Sequence, residues 1–169
     1  ESLLDFARLE AGRRPYTLRP LDPVALTRAV FDEFLCEAAR EVTLEAGSGA
    51  ATATVLADGP ALTNALWNLL DNAVKYSPAA TPVRVDVSRG PGDVTIAVRD
   101  GGAGVPPEER RAIFERFVRG TRARELGVPG TGLGLALVTH IAAAHGGRVE
   151  LDSEEGAGST FRLVLPAAG

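Results

Sequence analysis

The chain has 169 residues, 45% of them hydrophobic and 24% charged, and a formal net charge of −4 at pH 7. That length and composition suit one medium domain with a proper core and show no sign of disorder. The acidic balance disfavours a nucleic-acid or anionic-membrane surface, so a small ligand or a protein is the expected partner. A single cysteine, Cys36, excludes an intrachain disulfide, and among Phe34, Leu35, Ala38 and Ala39 it reads as a buried thiol in a reducing compartment. No apolar run approaches the roughly 18 residues of a membrane span, and no signal peptide is visible. Methionine is absent even at position 1, which marks the chain as a piece of a longer one whose membrane anchor, if it has one, lies upstream.

Leu3, Leu4, Phe6, Ala7 and Leu9 stand at helical spacing before Gly12 and Pro15, as at the tail of a longer helix. Residues 16–21 read as a strand. Asp22 and Pro23 are an N-cap and first-turn proline for a helix running to about Arg40. Residues 42–46 and 53–57 read as short strands across a Gly-Ser-Gly turn, and Asp58 with Pro60 opens the next helix, which ends before Pro78. Val83, Val85 and Val87 alternate, as do Val94, Ile96 and Val98, and Gly90-Pro91-Gly92-Asp93 joins them into a hairpin. Residues 106–114 suggest a short helix and 133–145 a longer one closed by Gly146-Gly147, with strands at 148–151 and 160–165. Consecutive strands in hairpins point to an α+β sandwich rather than a doubly wound parallel sheet.

All three asparagines and the only lysine fall within twelve residues, as Asn64, Asn68, Asn72 and Lys75. Spacings of four put the asparagines in one row, with Lys75 a turn beyond on the same side. The row interrupts an apolar helix carrying Leu62, Ala65, Leu66, Leu69, Leu70, Ala73 and Val74. Amides and an ammonium at the border of a core need partners, and a magnesium polyphosphate would suit them. A polar seam between packed helices would use the same residues.

Following Val94, Ile96 and Val98 outward in phase leads to Asp100, a carboxylate aimed inward at the end of a buried strand. Gly102 and Gly104 follow and let something flat approach; the exocyclic amine of adenine is one donor that fits the carboxylate. A turn-capping aspartate would look the same. Gly130-Thr131-Gly132-Leu133-Gly134-Leu135 opens a helix whose exposed N–H groups suit an anion. It is not a Walker A loop, because no lysine follows, and Leu137 breaks the dinucleotide fingerprint. Between Phe117 and Gly130, Arg119, Arg122 and Arg124 lie in a stretch without periodicity that reads as a mobile basic lid. His140 and His145 are five apart, on different helix faces, and read as structural.

Together these segments resemble the catalytic ATP-binding domain of bacterial sensor histidine kinases, within the wider fold of type II topoisomerases, the large heat-shock chaperone and mismatch-repair ATPases. NLLDNAVKYS at 68–77 is similar to the family's N box, DGGAG at 100–104 to its first glycine box and FERF at 114–117 to its F box. GTGLGL at 130–135 resembles the second glycine box and GAGSTF at 156–161 the closing glycine motif. LLDFARLEAG resembles the end of the second helix of the dimerisation and phosphoacceptor domain, so residues 1–14 would belong to that domain and 15–169 to the catalytic domain.

The resemblance implies a two-layer α/β sandwich of the GHKL type, a mixed but largely antiparallel sheet with helices on one face and a mobile ATP lid. It implies ATP and Mg2+ as cofactors, with Asn72 ligating magnesium, Asn68 assisting, Lys75 approaching the phosphates and Tyr76 lying against adenine. Asp100 would accept from the adenine amine and Arg119 would reach the γ-phosphate. Gly102, Gly104, Arg116, Phe117, Gly130, Thr131, Gly132, Leu133, Gly134, Leu135 and Thr160 complete the expected nucleotide contacts. Gly101 departs from the asparagine common in the family. Relatives that hydrolyse ATP carry a glutamate where this chain has Asn68, and an amide takes no proton at neutral pH, so ATPase activity is expected to be negligible. Neither histidine has the acidic neighbour of the acceptor motif, so the γ-phosphoryl group is expected to pass to a histidine in a phosphoacceptor domain of the full-length dimer. From there it would go to a response regulator receiver domain. The setting expected is cytoplasmic, in a membrane-anchored parent, with no membrane contact by this segment. A serine kinase of the anti-sigma type and a non-catalytic nucleotide scaffold are the competing readings.

Overall fold

The computed structural model describes residues 16–37, 42–46 and 53–168. The helix expected over 1–12 and the Gly-Ser-Gly turn lie outside the described residues. In chain order the elements are β1 (Arg19–Leu21), α1 (Pro23–Glu37), β2 (Val42–Ala46), β3 (Val55–Ala57), α2 (Gly59–Lys75), β4 (Val83–Arg89) and β5 (Asp93–Asp100). They continue with a 3-10 turn (Ala112–Phe114), α3 (Thr121–Glu125), α4 (Gly134–Ala144), β6 (Arg148–Glu154) and β7 (Gly158–Pro166). Five strands form one sheet in the order β2-β4-β5-β7-β6, while β1 and β3 pair in a separate two-stranded sheet. Every pairing is antiparallel except β2 with β4.

Helix starts follow the sequence. The Asp22 carboxylate accepts from the N–H groups of Val24 and Ala25 at 2.8 and 3.0 Å, and Asp58 accepts from Ala61 at 3.0 Å, each satisfying donors that the first turn cannot pair. Val30, Phe31 and Phe34 of α1, Leu62, Leu66 and Leu69 of α2, and Leu137 and Ile141 of α4 pack onto Val85, Ile96, Leu163 and Leu165 of the sheet. Fully burying each such leucine or isoleucine contributes about 1.5–3 kcal/mol. The opposite sheet face carries Arg84, Asp86, Thr95, Arg99 and Arg162. The result is the expected two-layer sandwich, helices on one face of a mixed and mostly antiparallel sheet. No helix among the described residues is long and apolar enough to cross a membrane.

Three local expectations are corrected. Strands 42–46 and 53–57 do not pair with each other: β2 joins β4 in parallel and β3 joins β1. Residues 106–114 form turns and a single 3-10 turn, Ala112–Phe114, rather than a helix. α1 is described as far as Glu37, and the remainder of the helix expected to about Arg40 lies outside the described residues. Cys36 is exposed, with its thiol on the Asp32 carbonyl at 3.3 Å; it lies about 200° around the helix from buried Phe34.

His145 is structural, as its spacing suggested. Its Nε2 accepts from the Asp58 N–H at 3.0 Å and its Nδ1 lies 2.6 Å from the Ile141 carbonyl. A carbonyl can only accept, so the imidazole proton sits on Nδ1. The Tyr16 ring packs on His145 with centroids 5.2 Å apart, and its buried hydroxyl has no hydrogen-bond partner among the described residues. Burial first, and the nearby Asp58 carboxylate second, raise the Tyr16 phenol above its ordinary value of 10.0. The fold therefore favours the neutral phenol; stability is unaffected below the unfolded value and falls as pH rises beyond it. Tyr16→Phe is expected to keep or improve stability at pH 7 and to reduce the loss that sets in as pH rises above the ordinary phenol value, as read by urea denaturation at stepped pH.

Candidate nucleotide site

The sequence places a carboxylate and a polar helical row in separate segments; the fold brings them to one cavity of about 460 Å³. Its walls are the polar side of α2, the loop leaving β5, the segment from Val118 to Gly132, the start of α4 and one side of β7. At one end is Asp100, only 7% exposed, whose Oδ1 accepts from the Gly102 N–H at 2.8 Å. Val94, Ile96 and Val98 are buried in the same phase, so strand alternation carries the carboxylate inward. Val105, Ile113, Val118, Leu135 and Phe161 line the apolar part of the cavity, a surface suited to a flat aromatic base.

Asn68, Asn72 and Lys75 of α2 line the same cavity, with Tyr76 following them. The Asn72 side chain has no hydrogen-bond partner among the described residues, whereas Asn68 Nδ2 donates to the backbone and side-chain oxygens of Asn64 at 2.9 and 2.8 Å. Lys75 pairs with Asp71 at 2.5 Å, and with both side chains about two-fifths exposed the pair adds little stability. Its ammonium remains at the cavity rim. Among the described residues no group of three His, Cys, Asp or Glu side chains could hold a metal. A divalent cation would depend on asparagine oxygens together with oxygens of a ligand, a donor set that suits Mg2+ bound with phosphates.

The stretch read as an irregular lid contains one helical turn, α3. Glu109 accepts from the Thr121 N–H at its start, and Phe117 N–H donates to the Gly132 carbonyl at 3.0 Å, pinning the two ends of the segment together. Arg119 reaches the cavity, but its guanidinium donates to the carbonyls of Ala123 and Val128, and its Nε is buried without a partner among the described residues.

Gly104, Gly130, Thr131, Gly132, Gly134 and Leu135 line the cavity as well. Five residues of the expected set do not. Thr160 lies on the opposite sheet face and accepts from Arg99 Nε at 3.3 Å; its neighbours Ser159 and Phe161 face the cavity instead, because alternate residues of a strand point to opposite sides. Leu133 is fully buried in the core. Arg116 and Phe117 are exposed, Phe117 with a φ of 62°. Gly102 packs under the carbonyl of Tyr76, where a Cβ would come within 2.4 Å. Sequence reading missed Asp71, Glu109 and Ser159. Ser159 becomes legible only through its register opposite Asp100 on β5.

A buried carboxylate, an apolar slot and a rim of amides and cations define a nucleotide-binding α/β sandwich. The chain belongs to the histidine kinase-, DNA gyrase B- and HSP90-like ATPase family, whose model matches residues 57–169. It is 37% identical over 166 residues to the sensor-like histidine kinase SenX3 of Mycobacterium tuberculosis, covering 98% of this chain and 40% of that protein. It thus spans about two-fifths of the length of such relatives. Among solved structures, full-length ShkA in complex with AMPPNP matches with a TM-score of 0.82 and 36% identity, over 99% of this chain and 35% of that one. A mycobacterial sensor histidine kinase MprB matches with a TM-score of 0.75 and 30% identity, over 89% of this chain and 97% of that one.

Gly104 has a φ of 73°, and a Cβ there would lie 2.1 Å from the Glu154 carbonyl oxygen. Gly104→Ala should therefore displace the loop against β6, destabilise the fold by more than about 1 kcal/mol and weaken nucleotide binding, measured by denaturation and by titration with ADP.

Proposed function

We propose that this chain is the ATP-binding catalytic part of a sensor histidine kinase. It binds Mg-ATP and donates the γ-phosphoryl group to a histidine in the phosphoacceptor domain of the same protein, for relay to a response regulator receiver domain. Residues 1–14 then end the second helix of that phosphoacceptor domain, and 15–169 form the catalytic domain. The parent is a membrane-anchored sensor with this part in the cytoplasm. The observation that carries the reading is the pairing, in one cavity, of buried Asp100 with the Asn68, Asn72 and Lys75 row; the likeness to SenX3 and MprB supports it.

In that reading the Asp100 carboxylate accepts from the exocyclic amine of adenine, and the ring lies between Tyr76 and the apolar wall. The amide oxygens of Asn72 and Asn68 are the groups that would hold Mg2+ beside the phosphates. When bound, the ion would neutralise phosphate charge. Lys75 and Arg119 supply fixed positive charge where negative charge develops on the transferring group. Arg119 must first leave the carbonyls of Ala123 and Val128. The acceptor imidazole nitrogen then bonds to the γ-phosphorus as the bond to the bridging oxygen breaks, and ADP leaves with that electron pair.

Water is a poor competitor in this cavity. Asn68 cannot accept a proton, Asp71 is paired with Lys75, and Glu109 is engaged by Thr121. His145 is no acceptor, since both its nitrogens are bonded within the core, and exposed His140 is followed by Ile141 rather than by the acidic residue of an acceptor motif.

The chain should bind ADP saturably in isothermal titration, and Asp100→Asn should weaken binding about ten- to a hundredfold, the worth of a hydrogen bond to a charged group. Given γ-labelled ATP alone, it should release phosphate negligibly and retain no label on His140 or His145. Rapid steady-state hydrolysis or stable self-labelling would contradict the reading.

A further inference from the structure

Asn64 stands in the asparagine row but outside the cavity, and nothing in the mechanism above uses it. Its position is nevertheless informative. Asn68 Nδ2 lies 2.9 Å from the Asn64 backbone oxygen and 2.8 Å from Asn64 Oδ1. A backbone carbonyl can only accept, so the atom of Asn68 that faces it is the nitrogen. The second bond, from the same nitrogen to the Asn64 side chain, occupies the other amide proton. Both protons of Asn68 are thereby directed back along α2, and its Oδ1 is turned the other way, where it has no donor among the described residues.

That oxygen faces the start of α4. A Cβ on Gly134 would stand 2.8 Å from Asn68 Oδ1, and both residues line the cavity. An amide free to flip would present an N–H to a cation for part of the time, and an N–H repels a cation. Two donors committed to Asn64 leave one face, an acceptor.

We propose that Asn64 is a positioning residue that locks the amide of Asn68 with its oxygen toward a divalent cation in the cavity. The inference rests on the reading of the cavity as a Mg-nucleotide site. It extends that reading by giving Asn64 a role in cation affinity with no contact to the nucleotide or the ion. Groups that orient a ligand in this way typically change metal affinity by about 10–100-fold when lost.

The test compares Asn64→Leu, which removes the side-chain acceptor at similar volume, with Asn64→Asp, which keeps it. ADP is titrated into the 169-residue chain and each variant, with and without Mg2+, and circular dichroism melts report the fold. Without Mg2+, ADP affinity should stay within about twofold of the parent in both variants, because Asp100 and the apolar wall are untouched. The gain on adding Mg2+ should fall about tenfold in Asn64→Leu and be retained in Asn64→Asp. Asn64→Leu with the parent's full Mg2+ gain would overturn the proposal, as would an equal loss in the presence and absence of Mg2+, the mark of a merely structural residue. Failure of the parent to bind ADP at all would sink the nucleotide reading, and this inference with it.

Discussion

A single helix must satisfy two environments with one register, and the rest of the molecule is arranged around that requirement. α2 buries Leu62, Ala65, Leu66, Leu69, Leu70 and Ala73 against the sheet and the flanking helices, while Asn68, Asp71, Asn72 and Lys75 of the same seventeen residues line the cavity. Because the helix repeats every 3.6 residues, these two sets are fixed relative to each other. A shift in the packing of the leucines would rotate the amides out of the cavity. The Asp58 cap, itself tied to His145 and to the N–H of Thr17, holds the start of the helix and so sets where the row falls.

The sheet supplies the opposing group. β5 runs through the middle of the core and ends at Asp100, which is buried where a carboxylate without donors would cost several kcal/mol. The Gly102 N–H meets part of that need. β7, in register with β5, places Ser159 opposite Asp100 and Phe161 opposite Val98. A neighbouring strand from a distant part of the chain thus adds a hydroxyl and an aromatic wall beside the carboxylate. The segment from Val118 to Gly132 closes the remaining side, held at its base by the Phe117–Gly132 hydrogen bond.

Much of this was legible in the sequence because it depends on local periodicity. The inward phase of Asp100, the caps at Asp22 and Asp58, the β4–β5 hairpin and the asparagine row all follow from spacing within one element. What was not legible depends on pairing between distant segments. Nothing in residues 42–46 says that they join β4 in parallel rather than β3, and without the β5–β7 register Thr160 and Ser159 are indistinguishable as cavity residues. Cys36 differs in kind: it is two residues from buried Phe34 in sequence, yet helical geometry turns it to the exposed side. The bond from Asn68 to Asn64 lies between these cases, since the i, i+4 spacing permits it and only the rotamers make it.

The composition offers a direct test of the central claim that the polar row of α2 faces a metal-nucleotide. The chain has three asparagines and no glutamine, so its proton–nitrogen correlation spectrum carries three side-chain amide pairs, all from α2. Mg2+ added to the ADP-loaded chain should move the pairs of Asn68 and Asn72. If all three pairs stay still while ADP binds, the row faces something other than the phosphates and their cation, and the account of the site is wrong.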